Sequence, residues 1–369
     1  MPQVTHVFKT YFPETSGGME EAIRQYAVHA AARGFDVQVV CVGSADYTVM
    51  SQQGISTQFY KKTWDFFSNP FSVSFARAYA DICKNTDLLH FHFPWPTAEI
   101  LALLHPKKKP SLVTFQCDIH KMLPLKKMYL PLVRRYLQKM DCICISSWPL
   151  YNNTPYLYPF KHKIRQIPLF MNEQRFADLG AADPAMAVSA GKKPFALFVG
   201  VLRWYKGLDI LLDAAKTTSG DIRIVGTGPL FDKLAARIRN ENLTNVHLMG
   251  FQSDTNLAWL IKHARMVVLP SITAAEAFGQ ILLEGLYFAR PLISTELGTG
   301  TSMVNRHGYT GLVVRPGCSR SLALAMNSLF CVNTLCKRFS QNATHHYAAH
   351  FTPAVQGDKY LEIYRSLLD

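Results

Sequence analysis

Glu276 and Glu284 stand eight residues apart in Glu276-Ala-Phe-Gly-Gln-Ile-Leu-Leu-Glu284, directly after the strand-like Val267-Val-Leu-Pro-Ser271 and at the opening of an apolar helix. Along a helix axis eight residues cover roughly 12 Å, close to the reach of a sugar nucleotide from its hexose to its ribose. Glu276, just before the helix, is placed to bind sugar hydroxyls, and Glu284, two turns in, a ribose. The N–H groups of Phe278, Gly279 and Gln280 have no intrahelical acceptor and would face a diphosphate between them. On spacing alone the plainer reading stands ahead: one N-terminal glutamate favoured by the helix dipole and one exposed surface glutamate.

Four other loops carry residues suited to the same chemistry. Gly200-Val-Leu-Arg203-Trp-Tyr-Lys206-Gly207 follows an apolar strand and precedes a helix, offering Arg203 and Lys206 as cations for a leaving diphosphate. Gly17 and Gly18 follow the first strand. They serve either as a tight turn or as a gap that lets a diphosphate and an acceptor approach the helix start. Gly226-Thr-Gly-Pro229 lacks the third glycine of a dinucleotide fingerprint, because Phe231 stands there, which disfavours hydride transfer. Thr114-Phe-Gln116-Cys-Asp118-Ile-His120 places an amide, a carboxylate and an imidazole after the apolar run Leu112–Phe115. His120 serves either as a second polar contact or as an ordinary surface histidine.

The formal charge of +13 is unevenly placed: Lys121, Lys126, Lys127, Arg134, Arg135 and Lys139 fall within residues 121–139 with no acid among them. Interleaved large apolar side chains make this either a solvated helix face or a contact with an anionic membrane surface. Pro124 and Pro131 suit helix starts better than interiors. Zinc-finger spacing, aromatic RNA-binding signatures and basic tails are absent from the sequence, so nucleic acid is not the expected partner. The eight cysteines are scattered without a C-x-x-C pair, read as buried reduced thiols. No metal-ligand spacing is evident and no cofactor is expected. The start lacks a signal-peptide pattern and no apolar run approaches the roughly 20 residues of a membrane span. The expectation is therefore a cytoplasmic protein, associated peripherally with the inner face of the membrane.

Those residues need strands and helices to hold them. Val4–Tyr11, Val37–Val42, Leu88–Phe91, Leu112–Phe115 and Cys142–Ile145 read as buried parallel strands, with a helix over Glu20–Arg33. Phe195–Val201, Ile222–Val225, Val246–Met249, Met266–Leu269 and Leu292–Ser294 repeat the rhythm, with helices near 207–216, 229–241, 255–263 and 278–289. Strand–helix alternation predicts an α/β protein of two Rossmann-like domains, whose strand ends meet across a crevice. Residues 1–172 form the first domain, 173–194 a linker, 195–350 the second domain and 351–369 a last helix, Val355–Leu368.

With these blocks in order, the sequence resembles the retaining glycosyltransferases of family 4, which have the GT-B fold. Glu276 to Glu284 looks like the family's E-x7-E signature, and Gly17-Gly18-Met-Glu20 like its Gly-Gly-x-Glu loop. Asp87-Leu-Leu-His90-Phe-His92-Phe-Pro94, Val225-Gly-Thr-Gly-Pro-Leu230, Gly250-Phe251 and Val268-Leu-Pro-Ser271 match further blocks. The resemblance implies that Gly17, Gly18, Arg203, Lys206, Gly226, Phe251, Phe278, Gly279, Gln280 and Glu284 hold the donor. It also implies that Glu276, Asp118, His120 and Lys206 act at the reacting end, and that the last helix returns to the first domain. The block from Glu296 to Gly311 looks most like bacterial surface-polysaccharide mannosyltransferases. That implies GDP-mannose as donor and an O-antigen glycan as acceptor; the basic stretch points to a lipid-diphosphate carrier for it, and the lack of an Asp-x-Asp motif to a reaction without a metal. Two departures stand out: Val201 where relatives carry arginine, and Gln116 where many carry histidine. They suggest a non-catalytic sugar-nucleotide-binding subunit as an alternative, beside a UDP-sugar-using glycosyltransferase and a sugar-nucleotide epimerase of the same fold.

Overall fold

Fully apolar runs become buried strands, because a strand covered on both faces has no polar side to alternate. The strands of the first half are β1 (Gln3–Val7), β2 (Asp36–Gly43), β3 (Tyr47–Met50), β4 (Ser56–Lys61), β5 (Trp64–Phe66), β6 (Asn69–Phe71), β7 (Leu88–Phe93), β8 (Ser111–Phe115), β9 (Cys142–Ile145) and β10 (Ile164–Gln166), with β7, β8 and β9 buried throughout. Eight of them form one sheet in the order β10-β9-β8-β7-β1-β2-β4-β3, parallel except for the edge strand β3, which runs against β4. β5 and β6 pair separately. The computed structural model describes the chain except residues 16, 67–68, 117–125, 178 and 184–192. Two candidate acceptor contacts, Asp118 and His120, lie outside the described residues.

The second sheet consists of β11 (Phe195–Val199), β12 (Asp221–Val225), β13 (Val246–Gly250), β14 (Met266–Leu269), β15 (Leu292–Thr295) and β16 (Gly311–Val314). Its order is β13-β12-β11-β14-β15-β16, all parallel. The chain divides into two compact units, Met1–Phe170 with Pro353–Asp369, and Met171–Thr352. In each sheet the strand order reverses beside the first strand, at β1/β7 and at β11/β14. Loops leaving the carboxyl ends of such a strand pair are where α/β sheets bind ligands.

Four expectations need correction. The helix near 278–289 spans only Gln280–Tyr287, so Glu276 sits in the preceding loop and helix rise does not set its distance from Glu284. The expected linker begins with a 3-10 turn, Glu173–Phe176, that belongs to the second unit, because Arg175 and Phe176 bind its helices. Pro131 lies inside the helix Lys126–Lys139. It is exposed and only six residues in, so it removes one ladder hydrogen bond near the start rather than breaking the helix. Val355–Leu368 is a π-type turn, Pro353–Gly357, followed by the helix Asp358–Leu368.

That last helix is built into the first unit. Tyr364 Oη lies 2.6 Å from His90 Nδ1 and Tyr360 Oη 3.1 Å from Thr114 Oγ1, all buried. Asp358 accepts from His29 and Arg33 of the helix Gly18–Ala31.

Candidate functional site

In the second unit the loops after β11 and β14 flank the strand-order reversal, and glycine is what lets them touch. Gly207 has φ 70°, and a Cβ there would sit 2.0 Å from the Pro270 carbonyl oxygen. Gly226, with φ 127°, admits the Gly200 carbonyl oxygen to 2.1 Å of where its Cβ would stand. Any side chain at either position would push the loops apart. Tyr205 accepts from Ile272 N at 2.8 Å and Thr227 from Leu202 N at 2.9 Å, so the loops after β11, β12 and β14 form one block.

This block brings Lys206 and Glu276 together. Lys206 Nζ is ion-paired to Glu276 Oε2, with both side chains about nine-tenths buried. Ser271 Oγ donates to the same carboxylate oxygen at 3.0 Å. The Glu276 carbonyl accepts from Thr299 Oγ1 at 2.9 Å, and the Ala277 carbonyl from Gly300 N at 2.8 Å, so the loop after β15 supports the glutamate from behind. Phe278 is buried and fixes the turn into the helix Gln280–Tyr287. The N–H groups of Phe278, Gly279 and Gln280 meet no acceptor among the described residues. The Gln280 side-chain amide nitrogen is likewise buried without a partner. A cation, a carboxylate and several unspent N–H groups at one helix start suit a substrate that is anionic at one end and hydroxylated at the other.

Glu284 is 8% exposed and is held by a residue the sequence reading missed: Arg175 Nη1 donates to Glu284 Oε1 at 2.9 Å, and its Nε to Asp254 Oδ1 at 2.9 Å. A contact spanning 109 positions leaves no trace in local spacing. Arg203, Trp204 and Phe251 are exposed on neighbouring carboxyl-end loops, with Phe251 79% accessible. Arg203 makes no ion pair among the described residues.

In the first unit Gly17 caps the helix Gly18–Ala31 in an extended conformation. A Cβ on it would meet the Glu20 carboxylate at 2.8 Å, and that carboxylate accepts from Thr10 and Thr15. Gln116 is buried at the end of β8. Beneath lies a second feature that the sequence reading did not assign. His6 on β1 is in register with His90 on β7, and His92 shares the latter's face two residues on. That register and period were the available signal. The three imidazoles are fully buried, and His6 Nδ1 lies 3.0 Å from His92 Nε2. Burial pushes His6 down to about 3 and holds His90 and His92 well below the usual range. Their ligand atoms lie within 4.8 Å of one another. However, His90 bonds Tyr364 and Thr114 through its two nitrogens, and its ring is stacked on that of His92. Stacked rings do not converge lone pairs on one point, so the cluster fits a neutral packed core rather than a metal centre.

The comparisons with known proteins follow this division. The profile described as Glycosyltransferase Family 4 matches residues 16–175, and that described as Glycosyl transferases group 1 matches residues 182–346. The chain is 35% identical to the O-antigen chain mannosyltransferase C of Escherichia coli, over 100% of this chain and 99% of the relative. It is 34% identical to the D-rhamnosyltransferase WbpZ of Pseudomonas aeruginosa, over 95% and 92%. Among solved structures it is similar to the sucrose-phosphate synthase of Thermosynechococcus elongatus, with TM-score 0.82 at 18% identity over 100% and 99% of the two chains. It is also similar to WaaG, a glycosyltransferase of lipopolysaccharide biosynthesis, with TM-score 0.70 at 15% identity over 98% and 99%. Two Rossmann-like units, a last helix returned to the first of them, and relatives matched end to end agree: the chain is a glycosyltransferase of family 4 with the GT-B fold.

Proposed function

We propose that this enzyme transfers mannose from GDP-mannose, with retention and without a metal, to a lipid-diphosphate-linked glycan in O-antigen assembly. The observation that carries the reading is the Lys206–Glu276 pair at the carboxyl ends of β11 and β14, supported by what the two most similar relatives described above are named for. In the reaction the bond from the anomeric carbon to the diphosphate breaks, a bond to an acceptor hydroxyl oxygen forms, and the hydroxyl proton leaves with the diphosphate. Negative charge grows on the departing diphosphate. Lys206, Arg203 and the N–H groups of residues 278–280 stabilise it, while Glu276 orients the hexose and Glu284 the ribose. Preorganised donors of this kind are each worth on the order of 10²–10³ in rate. Binding requires Lys206 to be shared between Glu276 and the diphosphate, and the Glu284 carboxylate to be shared between Arg175 and the ribose. Asp118, His120 and the loop at Gly17 and Gly18 would serve the acceptor.

Thermal shift across a panel of sugar nucleotides tests the donor. GDP-mannose at about 100 times its dissociation constant stabilises by roughly 2.7 kcal/mol, and UDP-sugars at equal concentration stabilise less. A larger shift with a UDP-sugar removes the guanine assignment. The rhamnosyltransferase relative favours one second reading, a nucleotide-activated D-rhamnose, which the same panel separates.

Among the described residues no helix is long and apolar enough to cross a membrane. Attachment would instead use the helix Lys126–Lys139, where Lys127, Arg134 and Arg135 are exposed beside Met128, which is 80% accessible. The expected contribution of Lys139 to this face is corrected. Its Nζ turns inward and binds the carbonyls of Ala102 and His105, closing the helix Pro96–Leu104. Each cation near an anionic bilayer contributes about 1 kcal/mol. Replacing Lys126, Lys127, Arg134 and Arg135 with glutamate therefore abolishes cosedimentation with phosphatidylglycerol vesicles. Binding that survives these changes, or high salt, means that the face is merely solvated.

A further inference from the structure

The second unit has a cationic cleft at the end of its sheet away from Lys206 and Glu276. Pro194 precedes β11, Arg265 precedes β14, and Arg290 stands two residues before β15; all three line a cleft of about 510 Å³. Lys206 and Glu276 follow the opposite ends of β11 and β14, on the order of 15 Å away along the strands. The cleft is closed on its other side by the helix Asn333–His350, which contributes Lys337. Arg265, Arg290 and Lys337 are its cations, His263 lies beside them, and no aspartate or glutamate lines it among the described residues.

The two arginines are fixed in place without being neutralised. Arg290 donates from Nε to the Phe288 carbonyl at 2.8 Å and from Nη1 to the Ala264 carbonyl. Arg265 donates from Nε to the Leu329 carbonyl at 2.8 Å and from Nη2 to Asn333. A guanidinium has five donors in a rigid fork, so these bonds orient each group and leave N–H groups over. Neither arginine has a carboxylate ion pair among the described residues. Arg290 is also desolvated enough that burial lowers its affinity for its own proton. A half-buried cation without a counter-ion is costly, and an anion in the cleft would relieve that cost. The volume lies within the roughly 300–1,000 Å³ of small-molecule sites.

We propose that this cleft is a second binding site, taking a small phosphorylated metabolite whose phosphate or diphosphate is held by Arg265, Arg290 and Lys337. Arg265 and Arg290 supply planar forks suited to phosphate oxygens, and Lys337 a point charge at the rim. Cys336, between the arginines on the helix face, keeps a buried thiol that burial pushes up, so it does not compete as an anion. The site is independent of the donor-site reading, since it shares no residue with it.

Inorganic pyrophosphate is the probe, and hydrogen exchange over residues 259–266 and 333–341 of the whole protein is the readout. Slowed exchange in both segments should saturate with pyrophosphate, persist in Lys206→Ala, and require about tenfold or more pyrophosphate in Lys337→Glu. The last figure is the loss of one charge-assisted contact. Lys337 is exposed, so its replacement tests the site without unfolding it. Arg265→Gln adds a second arm and should weaken binding similarly. Potassium chloride at matched ionic strength should give no protection. The site is overturned if pyrophosphate leaves these segments unprotected, if chloride protects them equally, if Lys206→Ala abolishes the protection, or if Lys337→Glu leaves the midpoint unchanged.

Discussion

Lys206→Ala and Glu276→Gln each lower turnover by about 10²–10³, the size of losing one preorganised charge partner in a water-poor site. The two losses have different signatures. Lys206 would meet the diphosphate in both ground and transition states, so its removal raises the donor KM as well as lowering kcat. Glu276→Gln keeps the shape and the Ser271 contact and removes charge at the hexose end, so kcat falls more than donor affinity. Stability separates this from simple damage. Breaking a buried ion pair from one side costs about 3–5 kcal/mol at full burial, because the remaining charge is stranded. With about a tenth of each side chain still exposed, somewhat less is expected here. The double variant Lys206→Met with Glu276→Gln should regain most of that stability and none of the activity. A double variant that regains both would make the pair a structural contact only.

Acidification below pH 6.5 lowers the stability of the folded chain. Burial favours the neutral imidazoles of His6, His90 and His92 in the folded chain, whereas each takes up a proton near 6.5 once unfolded. The unfolded state therefore binds more protons, and stability is present in full above 6.5 and is lost as pH falls toward the folded values. Each group contributes about 1.4 kcal/mol per pH unit. Glu99 works in the opposite direction. Burial raises its carboxyl to about 7, with the Tyr129 and Trp95 hydrogen bonds pulling partly back. Between its unfolded value and 7 the folded chain holds a proton that the unfolded chain has released. With His346, which burial also lowers, the histidines outnumber Glu99, so stability falls on acidification. The tyrosines facing the cluster, Tyr26, Tyr360 and Tyr364, are held neutral by burial and supply no compensating charge. Urea midpoints measured at pH 7, 6 and 5 check this. A flat profile contradicts it, and His6→Leu with His92→Leu should flatten the wild-type slope.

The parts of the fold legible in the sequence are those where burial is symmetric. Cys142–Ile145 and Met266–Leu269 are apolar throughout because helices cover both faces, and their bounds could be read directly. Tyr47–Met50 and Trp64–Phe66 are largely exposed, so their pairing depends on partners rather than on composition, and nothing marked them. β16 begins at Gly311, whose Cβ would collide with the Leu292 carbonyl oxygen at 1.9 Å; a glycine there reads as a turn until its neighbour is known. The candidate site was legible as a set of loops because Lys206, Glu276 and Gly226 each follow an apolar strand. What could not be read were the contacts between distant segments: Arg175 on Glu284, Lys139 folded onto Ala102 and His105, and His6 against His92. Each is set by strand register or helix packing and not by spacing along the chain.

The most direct test of the account is turnover by the purified enzyme with radiolabelled GDP-mannose and a lipid-diphosphate-linked O-antigen acceptor, in excess EDTA. The account predicts mannose attached to the acceptor with the donor's anomeric configuration, at a rate unchanged by the chelator and about 10²–10³ lower in Glu276→Gln. Inverted product, a requirement for added magnesium or manganese, or full activity in Glu276→Gln would contradict it.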